Sequence, residues 1–203
     1  GVPIDDLETI GEFGFDPRPV VQQVVHGFLL TTLRWGTFHG DVHAGNLWVL
    51  EDGRASYLDF GIMGELPELW RDTMREILYT STIDQDYRRV GRAYQKVGVI
   101  PDDVDPEVAG PAIAMVMEPM LNQGVAAMSL GDQLKANLEL ANTYGATAPK
   151  ELLLVSKQLM YFERYARTLA PGYVLARDLF LLKNVFPEAV AEAAAERGVT
   201  LPD

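Results

Sequence analysis

Between positions 17 and 36 the apolar residues recur at spacings of three and four: Val20, Val21, Val24, Val25, Phe28, Leu29 and Leu33. That spacing lays one apolar face along an amphipathic helix. Asp16 followed by Pro17 predicts its start, as N-cap and first helical position, and Gly36 supplies a left-handed stop. The period then changes. LWVL (47–50) and ASYL (55–58) are short apolar runs around EDGR, and Asp52-Gly53 between them predicts a β-hairpin. From Pro67 the helical period returns, predicting helices over 67–82, 84–97, 106–122, 130–144, 149–169 and 187–197. Pro67, Pro106, Pro149 and Pro187 stand near helix starts, and Gly98, Gly145 and Gly198 near helix ends. Pro111 and Pro119 are expected to kink or split the third of these helices. In 149–169 the residues Leu152, Leu153, Val155, Leu159, Phe162, Ala166 and Leu169 cover a wide arc, which predicts a central place in the core. The opening GVPIDDLETIG reads as a loop leaving something else, so the chain reads as part of a longer protein. The expected fold class is mainly α with a small β-hairpin.

Composition narrows the functions. The 203 residues are 48% hydrophobic, enough for one sizeable core. The formal charge of -12 repels phosphate backbones and anionic lipid, so no nucleic-acid partner is expected. Arg88, Arg89, Arg92 and Lys96 are the local exception and read as a solvated helix face. The absence of cysteine removes disulfides, thiolate catalysis and zinc–thiolate sites. The first ten residues hold three acids and no base, unlike a signal peptide. No apolar run approaches the roughly 20 residues of a membrane span. Met115, Met117 and Met120 read as core filler, with the lining of a lipid groove as the alternative.

The densest chemistry lies in FHGDVHAGNLWVL, residues 38–50, directly ahead of the hairpin. Asp41 and Asn46 lie in a loop that enters one strand, and Asp59 ends the other strand, so a hairpin can bring all three together. Two carboxylates and an amide oxygen are hard donors suited to Mg²⁺. His39-Gly40-Asp41, four spacers and Asn46, followed by Asp59-Phe60-Gly61, match the order and spacing of the catalytic loop and metal-binding turn in protein-kinase-like folds. Gly40, Gly45 and Gly61 are expected to permit tight backbone. His39 reads as a brace of the loop, His43 as a phosphate contact or a packing residue, and His26 as an ordinary helix residue.

FHGDVHAGNLWVLEDGRASYLDFGIMGEL resembles the UbiB/ADCK family of atypical kinase-like proteins, whose members typically show a stretch like FHADPHPGNLLV and then LLDFGMVG. DQDYRRVGRAYQKVGVIP and PKELLLVSKQLMYFERYARTLAPGY carry the resemblance onward. It implies a protein-kinase-like C-terminal lobe with additional helices, spanning residues 1–203: catalytic loop and metal site at 38–64, helical remainder at 65–203. By the resemblance, Asp41 orients or deprotonates a nucleophile, and Asn46 and Asp59 hold the Mg²⁺ that bridges the phosphates of ATP. His39, Gly40, His43, Gly45, Phe60 and Gly61 support the loop. The Gly-rich loop, strand lysine, K-x-G-Q helix and Ala-rich nucleotide loop belong to an N-lobe expected upstream of Gly1, its main partner. This chain alone is then expected to bind nucleotide weakly or not at all and to turn over none. The resemblance further implies a link to quinone or other isoprenoid-lipid metabolism, with a cytoplasmic protein peripheral to the inner face of a membrane. Two alternatives stand beside it. A small-molecule phosphotransferase of the aminoglycoside/choline kinase type also uses H-G-D, four residues and Asn. A non-catalytic helical interaction module would keep these residues as relics.

Overall fold

The computed structural model describes residues 1–121, 150–174, 177–198 and 200. The predicted first helix forms as α2 (Arg18–Leu30), one residue later than expected: Pro17 rather than Asp16 is its N-cap, and Asp16 just outside accepts the Arg18 backbone N–H at 3.0 Å. A π-helical turn, Thr31–Trp35, continues it to Gly36, whose φ of 79° ends it. The widened turn has a cause in the sequence. Thr31 and Thr32 donate their hydroxyls back to Gly27 and Phe28 carbonyls, competing with the backbone amides for the same acceptors. A second π-helical turn, Thr80–Asp84, follows α3 (Glu68–Tyr79); there Thr82 bonds the Leu78 carbonyl. Gln85 in the left-handed region stops it, so α4 (Arg88–Lys96) starts four residues after the expected 84.

The predicted hairpin is β3 (Leu47–Val49) and β4 (Ala55–Tyr57), antiparallel with Leu47 opposite Tyr57. Gly53 makes the turn at φ 78°. The opening segment is not a loop. Val2–Pro3 forms β1 on the free edge of β3, giving a three-stranded sheet ordered β1-β3-β4. Asp6 then caps α1 (Leu7–Glu12) by accepting from the Thr9 amide. A second sheet pairs β2 (Thr37–His39) with β5 (Met63–Glu65). Gly64 stands opposite Phe38 there because a Cβ at 64 would lie 2.2 Å from the Phe38 ring.

Helix α5 (Pro106–Leu121) runs through Pro111 and Pro119 without being split, so of the two outcomes expected for these prolines the break does not occur. Its packing on α4 carries it: Gly91 faces Pro106 and Ala109, and Gly110 lies against Arg88. Met115 on this helix is 80% exposed and so is not core filler. The expected helix 130–144 and Gly145 lie outside the described residues. Helix α6 (Lys150–Leu169) packs on α2, placing Phe162 and Phe28 5.1 Å apart between ring centroids. The core is centred there, with Val24, Phe38, Val155 and Leu181. A helix not anticipated, α7 (Leu179–Val185), leads into the expected α8 (Pro187–Arg197), which Gly198 ends. Among the described residues no helix is long and apolar enough to cross a membrane.

Two of the four basic residues of the α4 segment carry ion pairs among the described residues. Arg88 pairs with Asp86 and Glu107, and Arg89 with Glu76 and Asp84.

Candidate functional site

Strand β2 ends at His39, and the chain crosses Gly40 to Val42 before a 3₁₀ turn, Ala44–Asn46, delivers it into β3. His39 is 5% exposed and fixed at both ring nitrogens. Its Nδ1 accepts the Asp41 amide at 3.1 Å, so Nε2 carries the proton and donates to the Leu58 carbonyl at 2.9 Å. The ring thus ties the loop to the strand end that precedes Asp59. Phe60 packs edge-on against it, centroids 5.2 Å apart.

Asn46 is buried. Its Nδ2 donates to the Asp41 carbonyl at 3.0 Å, and its own carbonyl accepts the Leu58 amide at 2.9 Å. The loop at 41, the turn at 46 and the strand end at 58 are therefore each one hydrogen bond apart, and Asp59 comes next in the chain. With Nδ2 committed, Oδ1 is the Asn46 atom open to a ligand. Asp59 holds φ at 50°, a region costly for most side chains but tolerated by Asp. Its Oδ1 accepts the Gly61 amide at 3.1 Å, closing a turn that a side chain at 61 would crowd. The carboxylate remains exposed to solvent.

His43 caps the 3₁₀ turn by accepting the Gly45 amide on Nδ1 at 3.0 Å. Its protonated Nε2 lies 3.5 Å from Asp41 Oδ2. A Cβ on Gly45 would come within 2.8 Å of the imidazole, so glycine there lets the ring lie flat. Gly40 donates to the Ile62 carbonyl at 2.8 Å, which joins the loop to the segment after Asp59.

Three contributors were missed. Gln158 on α6 is fully buried, accepts the Val42 amide at 2.9 Å and donates to the Gly40 carbonyl at 2.8 Å. Tyr165 donates to the Val42 carbonyl at 3.0 Å, and burial raises its pKa. Lys157 Nζ lies 3.5 Å from Asp41 Oδ1. The signal available in the sequence was Gln158 itself, a polar residue inside the apolar stripe of Val155, Phe162, Ala166 and Leu169. His26 is a helix residue, as expected, with a specific structural partner. Its Nε2 meets Asp178 Oδ2 at 2.5 Å, which ties α2 to the segment after α6.

Mg²⁺ is commonly held by one or two carboxylates together with phosphate oxygens and waters. Asn46 Oδ1 and the Asp59 carboxylate fit that donor set. Among the described residues no group of three or more histidine or carboxylate side chains is placed to hold a metal.

Comparison with known proteins follows the same line. A sequence profile of the ABC1 atypical kinase-like domain matches residues 1–94, and one of the UbiB helical domain matches residues 113–173. An uncharacterized protein of Mycobacterium tuberculosis H37Rv is 35% identical over 179 residues, covering 88% of this chain and 36% of that protein. An uncharacterized, chloroplastic aarF domain-containing protein kinase of Arabidopsis thaliana is 32% identical over 206 residues, 88% of this chain and 37% of that one. A Xylella fastidiosa protein named "Probable protein kinase UbiB" is 30% identical over 188 residues, 88% of this chain and 34% of its own. The chain spans about a third of the length of these relatives. The kinase-like loop, its hairpin and the helical segment that braces it belong together, and the chain is a member of the UbiB/ADCK family of atypical kinase-like proteins.

Proposed function

We propose that this chain is the catalytic-loop and metal-binding part of an ATP-dependent kinase or ATPase of UbiB type. The observation that carries the reading is the tie between three points of the backbone. Asn46 bonds Asp41, Leu58 bonds Asn46, and Asp59 follows Leu58. Phosphoryl transfer needs little covalent chemistry from the protein and relies on positioning and charge neutralisation. Asn46 and Asp59 would hold Mg²⁺, which neutralises charge on the phosphates when it binds with ATP. Asp41 accepts the proton of the attacking hydroxyl or water, and its carboxylate is 26% exposed, within reach of solvent and substrate. The N-terminal lobe of the same protein supplies the other half of the nucleotide site. Support for quinone or isoprenoid-lipid metabolism comes from family membership, and for kinase chemistry also from the names of relatives.

The test is nucleotide binding and turnover by the full-length protein. Binding of ATP is expected to require Mg²⁺ and to be lost in Asp59→Ala. Asp41→Asn is expected to keep binding and lose turnover by at least about a hundredfold. Binding that ignores both Mg²⁺ and Asp59→Ala would leave a non-catalytic helical module as the better reading. The 203-residue chain alone is expected to show no turnover. Hydrolysis by it, abolished in Asp41→Asn, would refute the half-site view.

A further inference from the structure

One face of α6 addresses the Asp41 loop along its length. Lys157, Tyr161 and Tyr165 recur every fourth residue, and Gln158 adjoins Lys157, so helix geometry stacks them on one side. Tyr165 holds the Val42 carbonyl, and Gln158 holds the peptide groups on both sides of Asp41. The main chain at 41 is thereby fixed from α6, and the remaining freedom belongs to the carboxylate. Its two oxygens have different neighbours: Lys157 Nζ at 3.5 Å from Oδ1, and His43 Nε2 at 3.5 Å from Oδ2. Lys157 is itself restrained, with its ammonium 5.8 Å from the centre of the Tyr161 ring.

We propose that Lys157 is a positioning residue for Asp41, acting as the counter-charge that sets the orientation of its carboxylate beside a bound polyphosphate; this rests on the phosphoryl-transfer reading above. An exposed ion pair commonly adds little to stability, and the Lys157 side chain is 51% exposed. Its effect therefore falls on catalysis. A Mg-ATP complex brings further negative charge toward a carboxylate that must stay available as an acceptor. An ammonium beside Oδ1 offsets that repulsion and holds the carboxylate in the orientation in which Oδ2 faces His43 Nε2. The residue comes from the UbiB helical segment, outside the part of the chain that matches the ABC1 kinase-like domain. The site is thus completed by a helix more than a hundred residues downstream.

Steady-state kinetics of Mg-ATP turnover by the full-length protein tests this. Lys157→Met, which keeps the length and removes the charge, is expected to lower kcat about tenfold with KM for Mg-ATP changed less than about twofold. Lys157→Arg is expected to restore most of the loss. Amide hydrogen exchange at Val42 reports whether the Gln158 clamp survives in each variant, and unchanged protection is expected. A Lys157→Met protein with wild-type kcat, a defect confined to KM, or a kcat loss that Arg leaves in place overturns the proposal while leaving the Asp41 reading intact. A wild-type full-length protein with no Mg-ATP turnover overturns both at once, before any variant is made.

Discussion

Gly64 and Gly40 face different penalties for gaining a single methyl group. At 64 the new Cβ would lie 2.2 to 2.7 Å from the Phe38 ring, which is fully buried against Phe28 and cannot retreat. At 40 it would meet Ile62 Cγ2 at 2.7 Å, Leu154 Cδ2 at 3.0 Å and the Ile62 carbonyl oxygen at 3.2 Å, a looser fit in which the tightest neighbour is a side chain that is 52% exposed. Gly64→Ala is therefore expected to lower stability by about 2 kcal/mol and Gly40→Ala by less than about 1 kcal/mol, measured by urea denaturation. Equal losses would mean that β2 and β5 move apart more easily than their packing indicates. Gln158→Leu belongs to the same scale. It leaves the Val42 amide and the Gly40 carbonyl buried without partners, at about 1–3 kcal/mol for each group. A stability loss of roughly 3 kcal/mol is expected, together with faster amide exchange at Val42. The motif residues 39 to 46 and 59 to 61 were legible in the sequence because their spacing is local. Lys157 was not, because an exposed lysine carries no mark of the carboxylate it will face after folding.

Among the helices, the junction of α2 with α7 has the most concentrated polar wiring. Asp178 caps α7 by accepting the Leu181 amide at 3.0 Å. It also accepts from Tyr173 at 2.7 Å and meets His26 of α2 at 2.5 Å, with Phe180 stacked on the imidazole. Burial by itself would raise the Asp178 pKa, but the bonds from His26, the Leu181 amide and Tyr173 outweigh it and hold the pKa below its ordinary 3.8. The sign follows. A carboxyl more acidic in the folded state stabilises the fold above its unfolded pKa, and that contribution drains away as pH falls through the folded value. Stability is thus expected to decline on acidification below about pH 4, with a flatter profile in Asp178→Asn. Asp178→Ala, losing cap and partners, is expected to cost roughly 2–4 kcal/mol at neutral pH by thermal or urea unfolding. Helices of a dozen residues or more, α2, α3, α5 and α6, could be read from period alone. The seven-residue α7 has too few turns to show one, and β1, β2 and β5 have two or three residues each, held by partners distant in the chain. The prolines of α5 do not break it, because helix-on-helix packing at Gly91 and Gly110 opposes the local preference for a break.

The whole molecule carries a charge of -12 at pH 7 and a pI of about 4.6. Mutual repulsion opposes self-association at neutral pH and vanishes near the pI. Next to the candidate site the surface is apolar, with Phe60, Ile62 and Met63 each at least half exposed. Association of this chain, followed by light scattering, is expected to peak near pH 4.6 and to fall in a Phe60→Ser, Ile62→Ser double variant. A peak that the double variant leaves unchanged would place the sticky surface elsewhere. The pairing of β2 with β5 leaves only a short passage from Asp59 to α3. That passage, DFGIMGELPE, has no serine, threonine or tyrosine. A covalent phosphate therefore has no hydroxyl to occupy between the metal turn and the following helix, and the on–off lever that many signalling kinases build into this span has no foothold here.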